Sequence, residues 1–324
     1  MQDFKGRTAF ITGGASGMGL GMAHAFGKAG MNIMLADITP HRLNEALAGL
    51  TAAGIVADAI CLDVADRTAM ANAAARTIER FGEVHVVIAN AGVGIMGRVR
   101  DASYEDWDWS NGVNFGGVVN AIQEFLPLLR RQGRGHFVAN ASMAGLTPVA
   151  HGGLYSVQKA AVVAMSEALY TEVAGEGIGV SVICPGMVRT NIHETTALRP
   201  GNLPQSARPA APPLKLPVDP TLFMDPMEVG DRVLRGVQSK DLYILTHNEF
   251  APAIAERFEP ILSAMADSPM AGPPPGFEGP PPGGAPSSAP DGPPRGAGGV
   301  GGAAPPPGFS VYGRVLSARQ AAGA

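Results

Sequence analysis

Short apolar runs alternate with longer segments of helical periodicity from residue 8 to residue 266. The apolar runs are nearly continuous, which is typical of parallel strands that helices cover on both faces. Six β-α units in a row predict a Rossmann-like, doubly wound α/β fold with a parallel sheet of about seven strands. The predicted strands span residues 8–12, 32–37, 56–62, 84–89, 136–140, 180–184 and 242–245, and the predicted helices span residues 18–30, 41–53, 68–81, 104–131, 154–175, 227–238 and 251–266.

Glycine and proline divide the chain into a domain and a tail. Of the 43 Gly and 28 Pro in 324 residues, 12 Gly and 13 Pro lie within residues 271–308. That composition is typical of disordered segments, and the absence of a Gly at every third position excludes collagen. The sequence therefore predicts a single folded domain over residues 1–270 and a disordered, low-complexity tail over residues 271–324.

Charge and hydropathy exclude several classes of protein. The formal net charge is −4 and no basic run occurs, which argues against a nucleic-acid partner. No apolar run is long enough to span a bilayer, and the N-terminus lacks the apolar core of a signal peptide, so we expect a soluble cytoplasmic protein with no membrane partner. Cys61 and Cys184 lie in apolar runs and are predicted to be small buried side chains; no metal site is expected.

A glycine-rich turn, TGGASGMG at residues 12–19, follows the first predicted strand and opens a helix. Glycines let a backbone turn tightly and approach a pyrophosphate, whose charge then faces the N–H groups of a helix N-terminus. The spacing is GxxxGxG and not the GxGxxG of the dinucleotide fingerprint, but the position between strand and helix suits the same purpose. The predicted cofactor contacts in this turn are Gly13, Ser16, Gly17, Met18 and Gly19.

Acidic residues follow the second and third predicted strands. The Asp37 carboxylate can accept hydrogen bonds from a ribose 2′-OH and would repel a 2′-phosphate, so NAD is favoured over NADP, although Arg42 is nearby. Asp63 and Val64 would lie against the adenine. Each aspartate can instead cap the helix that follows it.

Tyr155 and Lys159 lie one turn apart on the same helix face. An ordinary tyrosine has a pKa near ~10, and a neighbouring cation would lower that pKa toward the range of a general base. A YxxxK spacing alone usually indicates a surface pair, but Ser142 lies just past the fifth predicted strand, at the edge where doubly wound sheets bind ligands. Asn114, in an apolar helix, is either a buried amide bonded to backbone or the holder of a water beside Lys159.

These motifs resemble the short-chain dehydrogenase/reductase superfamily over residues 4–266. The resemblance rests on TGGASGMG at 12–19, Asp63, ANAG at 89–92, Asn114, Ser142, YSVQK at 155–159 and PGMVRT at 185–190; Ala89 departs from the family, which often has a second Asn there. It implies a catalytic tetrad of Asn114, Ser142, Tyr155 and Lys159, with Tyr155 as general base. It also implies cofactor contacts from Asn90, Gly92, Tyr155, Lys159, Val188 and Thr190.

The same resemblance implies a substrate lid over residues 190–226, a stretch rich in proline. The residues expected to face the cleft are Val93, Ile95, Met96, Leu146, Val149, Leu154, Met187 and Ile192. This set has no Lys or Arg cluster, which favours a hydrophobic or aryl secondary alcohol or its ketone. A homodimer or homotetramer, formed through the helices at 104–131 and 154–175, is also implied.

Four segments look like the NAD-dependent Cα-dehydrogenases that oxidise benzylic alcohols of lignin-derived aryl ethers: GVNFGGVVNAI (112–122), GIGVSV (177–182), TNIHETTALRP (190–200) and LYILTHNE (242–249). This closer resemblance predicts a role in aromatic compound catabolism. An NADP-dependent ketone or 3-oxoacyl reductase of the same fold is the alternative. A non-enzymatic alternative is an NAD-sensing protein with a proline-rich interaction tail, PPPGFEGPPPG at 273–283; a sensor would not need Ser142, Tyr155 and Lys159 together.

Overall fold

Each predicted strand and helix forms, with boundaries shifted by less than one helical turn. The computed structural model describes residues 3–95, 97–199 and 223–266. The strands are β1 Thr8–Thr12, β2 Asn32–Asp37, β3 Ala57–Cys61, β4 Val86–Ala89, β5 Gly135–Asn140, β6 Ile178–Cys184 and β7 Tyr243–Leu245. The helices are α1 Gly17–Lys28, α2 Pro40–Ala52, α3 Arg67–Phe81, α4 Tyr104–Asn111, α5 Gly117–Gln132, α6 Met143–Leu146, α7 Gly153–Glu172, α8 Pro226–Ser239 and α9 Ala251–Ala266.

The seven strands form one parallel sheet in the order β3-β2-β1-β4-β5-β6-β7, flanked by helices, which confirms the predicted doubly wound fold. The strand order reverses between β1 and β4, because the chain runs outward from β1 to β3 and then resumes on the other side of β1. Doubly wound folds bind ligands outside the carboxyl ends of the strands at such a point. Phe10 of β1 stacks on Phe125 of α5 with ring centroids 4.3 Å apart, which packs α5 over the centre of the sheet.

The third strand is less buried than its sequence suggests. β3 pairs only with β2 and therefore lies at the edge of the sheet. The prediction that Cys61 is buried is wrong for this reason: its thiol is exposed and lies 3.7 Å from the Ile38 carbonyl oxygen. Cys184, in the inner strand β6, is buried as predicted.

A π-helical turn, Gly112–Gly116, interrupts the helix predicted over residues 104–131 and joins α4 to α5. A capping box starts α4, since Ser103 Oγ accepts from the Asp106 N–H and the Asp106 carboxylate accepts from the Ser103 N–H. π turns widen a helix locally and are frequent at functional sites. Here the turn carries Asn114, which is fully buried.

Two glycines allow α8 to approach α1 closely. A Cβ at Gly21 would collide with the carbonyl oxygen of Pro226, and a Cβ at Gly230 would collide with the carbonyl oxygen of Gly21. The two helices therefore touch backbone to backbone. Since Pro226 begins α8, this contact fixes the end of the predicted lid against the helix that follows the glycine-rich turn.

The contacts within the chain define two units, Met1–Ile254 and Ala255–Ala324. The sheet belongs to the first unit, whereas the described part of the second is the helical segment 255–266. The unit boundary precedes the predicted domain end at residue 270, and the predicted tail at 271–324 lies outside the described residues. Within the described ranges, no helix combines the length and hydropathy of a bilayer-spanning segment, and no group of three metal-ligating side chains occurs.

Candidate active site

A cavity of about 480 Å³ lies at the carboxyl ends of the strands, a size within the usual range of about 300–1,000 Å³ for small-molecule sites. Most predicted cofactor contacts line it: Gly13, Ser16, Gly17, Met18, Asp37, Asp63, Val64, Asn90, Gly92, Tyr155, Lys159, Val188 and Thr190. Of the predicted tetrad, Ser142, Tyr155 and Lys159 line the cavity as well. Among the described lining residues, Gly19 and Asn114 are not found.

The glycine-rich turn has the geometry that an anion site needs. Gly13 and Gly17 have φ values of 61° and 51°, and a Cβ at Gly13 would lie 2.9 Å from Ala91 Cα. Gly19 does not line the cavity but allows the turn to pack on α1, because a Cβ at Gly19 would collide with the carbonyl oxygen of Gly13. Ser16 precedes α1 and makes no capping hydrogen bond with its side chain. The turn thus carries no Cβ at Gly13 and Gly17, and the Ser16 side chain does not cap the start of α1, so the turn fits a pyrophosphate.

The two aspartates lie just before helices but cap neither, since Thr39 is the N-cap of α2 and Asp66 is the N-cap of α3. One Asp37 carboxylate oxygen accepts from the Ala15 N–H at 3.2 Å and the other from the Thr39 N–H at 3.1 Å. The first bond fastens the carboxylate to the glycine-rich turn, and the second orders the start of α2. Asp63 likewise accepts from the Ala65 N–H at 2.9 Å. Both side chains also line the cavity, so a contact with a ligand remains the prediction for them, whereas the helix-capping alternative is wrong.

Ser142, Tyr155 and Lys159 lie together on one wall of the cavity. Ser142 immediately precedes α6, and its side chain acts on the Tyr155 phenol, whose pKa it lowers. Lys159 Nζ donates to the Asn140 carbonyl oxygen at 2.7 Å and lies 5.5 Å from the centroid of the Tyr155 ring. A hydroxyl, a phenol and an ammonium group therefore face the same space, a combination suited to binding and deprotonating an alcohol.

Burial governs protonation in this group. It raises the pKa of Tyr155 to about 12, and the hydrogen bond from Ser142 offsets only part of that rise. Burial also lowers the pKa of Lys159 to about 8. In the protein alone the pKa of Tyr155 is therefore raised and not lowered as predicted, because desolvation outweighs the effect of Ser142. A phenolate near neutral pH requires a further positive charge in the cleft.

Asn114 is bonded to backbone and to a second amide. Its Oδ1 accepts from the Val93 N–H at 2.8 Å, and its Nδ2 donates to the Val93 carbonyl oxygen at 3.0 Å and to Gln158 Oε1 at 2.8 Å. Gln158 in turn donates to Ser110 Oγ at 2.5 Å. These buried contacts tie the π turn to the loop after β4 and to α7, and they match the simpler of the two roles considered for Asn114.

A second set of amides connects the glycine-rich turn to Lys159. Asn90 Nδ2 donates to the Thr12 carbonyl oxygen at 2.9 Å, and Asn140 Nδ2 donates to Asn90 Oδ1 at 3.0 Å. The Asn140 carbonyl oxygen then accepts from Lys159. The sequence reasoning missed Asn140 and Gln158, although a polar residue at the end of an apolar strand, and one inside YSVQK, were available signals.

The cavity lining includes an apolar and aromatic set: Val93, Trp109, Val113, Met187, Ile192, Leu198 and Phe223. Val93, Met187 and Ile192 were predicted, and Met96 lies outside the described residues. Among the described lining residues, Ile95, Leu146, Val149 and Leu154 are not found, which corrects the predicted set. Leu154 turns into the core because it precedes Tyr155 by about 100° of helical rotation, and Val149 is 45% exposed.

The segment after β6 crosses the carboxyl edge of the sheet. It includes a 3₁₀ helix, Ile192–Leu198, in which Thr195 Oγ1 accepts from the Gly94 N–H at 2.9 Å. Arg199 then forms an ion pair with Asp106 of α4. The predicted lid at 190–226 is thus described at its two ends, while residues 200–222 lie outside the described residues.

The base of this segment is closed by backbone hydrogen bonds. The Arg189 N–H donates to the Met224 carbonyl oxygen at 3.1 Å, and the Met224 N–H donates to the Met187 carbonyl oxygen at 3.0 Å. Thr190 lies over the glycine-rich turn, because a Cβ at Gly17 would be 3.1 Å from its Cγ2. The segment after β6 that carries Val188 and Thr190 is thereby held beside the glycine-rich turn.

Comparison with known proteins extends these observations. A sequence profile of the short chain dehydrogenase family matches residues 7–200. The C alpha-dehydrogenase of Sphingobium sp. strain SYK-6 is 36% identical over 270 residues, which cover 82% of this chain and 88% of that protein.

Two solved structures are similar over most of the chain. A short chain dehydrogenase/reductase from Burkholderia phymatum, in complex with NAD, has a TM-score of 0.76 and 32% identity, covering 82% of this chain and 97% of that one. LigD in its apo form, from Sphingobium sp. strain SYK-6, has a TM-score of 0.69 and 33% identity, covering 83% of this chain and all of that one. The matched region contains both the glycine-rich turn and the Tyr155–Lys159 pair. This chain is therefore an oxidoreductase that belongs to the short chain dehydrogenase family.

Proposed function

We propose that this protein uses NAD to interconvert a hydrophobic or aryl secondary alcohol and its ketone. The observation that carries the proposal is the grouping of Ser142, Tyr155 and the buried Lys159 on one wall of the cavity that Asp37 and the glycine-rich turn also line. When bound, oxidised NAD would supply the hydride acceptor and a positive charge in the cleft.

The roles of the three side chains follow from their positions. Ser142 Oγ and Tyr155 Oη bind the oxygen of the alcohol, which holds the reacting carbon in one orientation. Tyr155 Oη accepts the hydroxyl proton during oxidation and returns it during ketone reduction. Lys159, with a pKa of about 8, is largely protonated at neutral pH and favours the phenolate. Asn114 positions Val93 and Gln158, and its support of a proton relay through water remains a prediction.

The substrate class and the cofactor preference rest on different contacts. The apolar and aromatic lining favours a hydrophobic or aryl substrate, and the similar Sphingobium protein carries the name C alpha-dehydrogenase. NAD is favoured because the Asp37 carboxylate is fixed by two N–H groups where a ribose 2′-OH would lie. The Burkholderia relative solved with NAD supports the same cofactor.

Tyr155→Phe is the direct test of the chemical role. Loss of the phenolic oxygen removes the proton acceptor, so turnover should fall by about 10²-fold or more, while isothermal titration calorimetry should still detect NAD binding. Tyr170→Phe, the same change farther along α7, is the matched control and should retain activity. Unchanged turnover in Tyr155→Phe would contradict the assignment.

A screen of the purified protein tests the substrate class. NAD and NADP are each paired with benzylic, aliphatic, steroid and hydroxyacyl alcohols, and the absorbance of the reduced cofactor is followed. We expect the highest kcat/KM for benzylic or other hydrophobic alcohols with NAD. Activity confined to hydroxyacyl thioesters, or a strong preference for NADP, would support the alternative reductase.

A further inference from the structure

An arginine lies in the cavity beside the residue that favours NAD. Arg42, in the first turn of α2, lines the cavity together with Asp37, Ile38 and Thr39. Among the described lining residues, Arg42 and Lys159 are the Arg or Lys side chains, and Lys159 belongs to the catalytic wall. Arginine is a strong ligand for phosphate because its planar guanidinium can donate two parallel hydrogen bonds. On composition alone, this wall of the cavity could therefore bind a 2′-phosphate.

The guanidinium is engaged by a carboxylate from a distant part of the chain. Arg42 Nη2 lies 2.8 Å from Glu194 Oε2, and Glu194 belongs to the 3₁₀ helix Ile192–Leu198 that crosses the sheet edge after β6. His193 Nε2 lies 3.9 Å from the other Glu194 oxygen, so it is the second group near this carboxylate. The Arg42 and Glu194 side chains are 32% and 49% exposed, so the pair is accessible to solvent and can exchange partners.

The pair changes what a 2′-phosphate would meet. A dianion placed next to Asp37 would face that carboxylate, while the arginine that could offset its charge is already paired with Glu194. A ribose 2′-OH, by contrast, needs only the Asp37 acceptor. Resting on the proposed use of a nicotinamide dinucleotide, we propose that Glu194 is a cofactor-specificity residue, which holds Arg42 in an ion pair and so withholds it from a 2′-phosphate.

Glu194→Gln tests this role because it removes the charge and keeps the size of the side chain. Affinities for NAD, NADP and adenosine 2′,5′-bisphosphate are measured by isothermal titration calorimetry at low salt, where surface pairs are weakly screened. We expect NADP and the bisphosphate to bind about three- to tenfold more tightly than in the wild type. NAD affinity should change less than about twofold.

Two further variants separate the ion pair from charge alone. In Arg42→Gln/Glu194→Gln the gain for NADP should disappear, because the released arginine is the group that binds the phosphate. Glu176→Gln removes the carboxylate from another partly exposed ion pair, that of Arg130 outside this cavity, and should leave both affinities unchanged. A gain that persists in the double variant would overturn the proposal, since the effect would then come from the Glu194 charge itself.

The remaining outcomes are also decisive. An equal loss of affinity for NAD and NADP in Glu194→Gln would show that the ion pair only stabilises the structure of the cavity. That result would overturn the specificity role. An unchanged NADP affinity would overturn it as well, while leaving the proposed function intact if the wild type binds NAD. If the wild type binds neither dinucleotide, the proposed function itself fails.

Discussion

Among single residues, His136 shows how burial sets a pH dependence outside the active site. It lies in β5, fully buried, with Nε2 2.8 Å from Ser181 Oγ. Burial is the main reason that its pKa is lowered from 6.5 to about 3. Between these values the unfolded chain binds a proton that the folded chain does not. The free energy of unfolding therefore falls as the pH falls from about 6.5 toward 3, and above 6.5 this contribution is constant.

His136→Gln should reduce the loss of stability in acid. The amide can still contact Ser181 but does not titrate, so the variant should lack a decrease of up to about 1.4 kcal/mol per pH unit below pH 6.5. Urea unfolding at pH 7.5, 6.5, 5.5 and 5.0 measures the slope, which separates titration from any constant loss of packing. His41→Gln, at an exposed position of α2, is the control. Parallel slopes for wild type and His136→Gln would contradict this explanation.

Short motifs made individual site residues predictable. Ser142, Tyr155 and Lys159 were found because each stands at a fixed distance from the end of a strand or within one helix, so local spacing fixes its direction. Asn140 and Gln158 were missed because their roles depend on partners in other elements, Lys159 and Asn114. Such pairings follow from packing between elements, which spacing along the chain does not specify.

Between elements, the contact of α1 with α8 should be intolerant of added volume. Gly230→Ala would place a methyl group against the Gly21 carbonyl oxygen, so the helices must separate or distort. We expect thermal or urea unfolding to show a loss of about 1–3 kcal/mol, together with weaker substrate binding because α8 begins at the base of the lid.

Gly49→Ala is the matched control for this prediction. Gly49 lies in α2, where an added Cβ would meet no atom within 4 Å, and alanine favours a helix. Its stability should be unchanged or higher by up to about 1 kcal/mol. Equal effects of the two substitutions would show that helix propensity, and not the contact between helices, determines the result.

The bounds of the strands and helices were largely predictable because the sequences of buried parallel strands are continuous apolar runs. The π turn was not predictable, since GVNFG continues the helical pattern and only packing widens it. The exposure of β3 was also missed, because an apolar run does not reveal whether its strand lies inside the sheet or at its edge. The position of Trp109 in the cavity lining was not predicted, since the sequence does not show which side of α4 faces the edge of the sheet.

For the whole molecule, the predicted self-association can be tested on the surface of α7. Val157 is 50% exposed in that helix, and Tyr104, at the start of α4, is 86% exposed. If the helices over residues 104–132 and 153–172 form the interface, an ion at residue 157 would be desolvated on assembly. Val157→Glu should therefore lower the mass measured by light scattering from that of a dimer or tetramer toward that of a monomer.

Val56→Glu is the control for assembly, since Val56 is similarly exposed, at 54%, but precedes the edge strand β3. It should leave the mass of the wild type unchanged. A monomeric wild type, or an unchanged mass in Val157→Glu, would exclude this interface.

The overall topology was predictable from the succession of β-α units and the right-handed crossovers between parallel strands. The oligomeric state is not predictable in the same way, because it depends on the surfaces of the protein and not on its hydrophobic core.

The amides that run from the Thr12 carbonyl through Asn90 and Asn140 to Lys159 have a consequence for how this enzyme could be altered. The glycine-rich turn, where we propose that the dinucleotide binds, and Lys159, which we propose favours the phenolate of Tyr155, share one hydrogen-bonded support. A substitution at Asn90 or Asn140 would therefore change affinity and turnover together. Variants selected for tighter cofactor binding in this part of the site should be expected to differ in rate as well, whereas changes at Arg42 and Glu194, which lie outside this support, can alter the choice of cofactor alone.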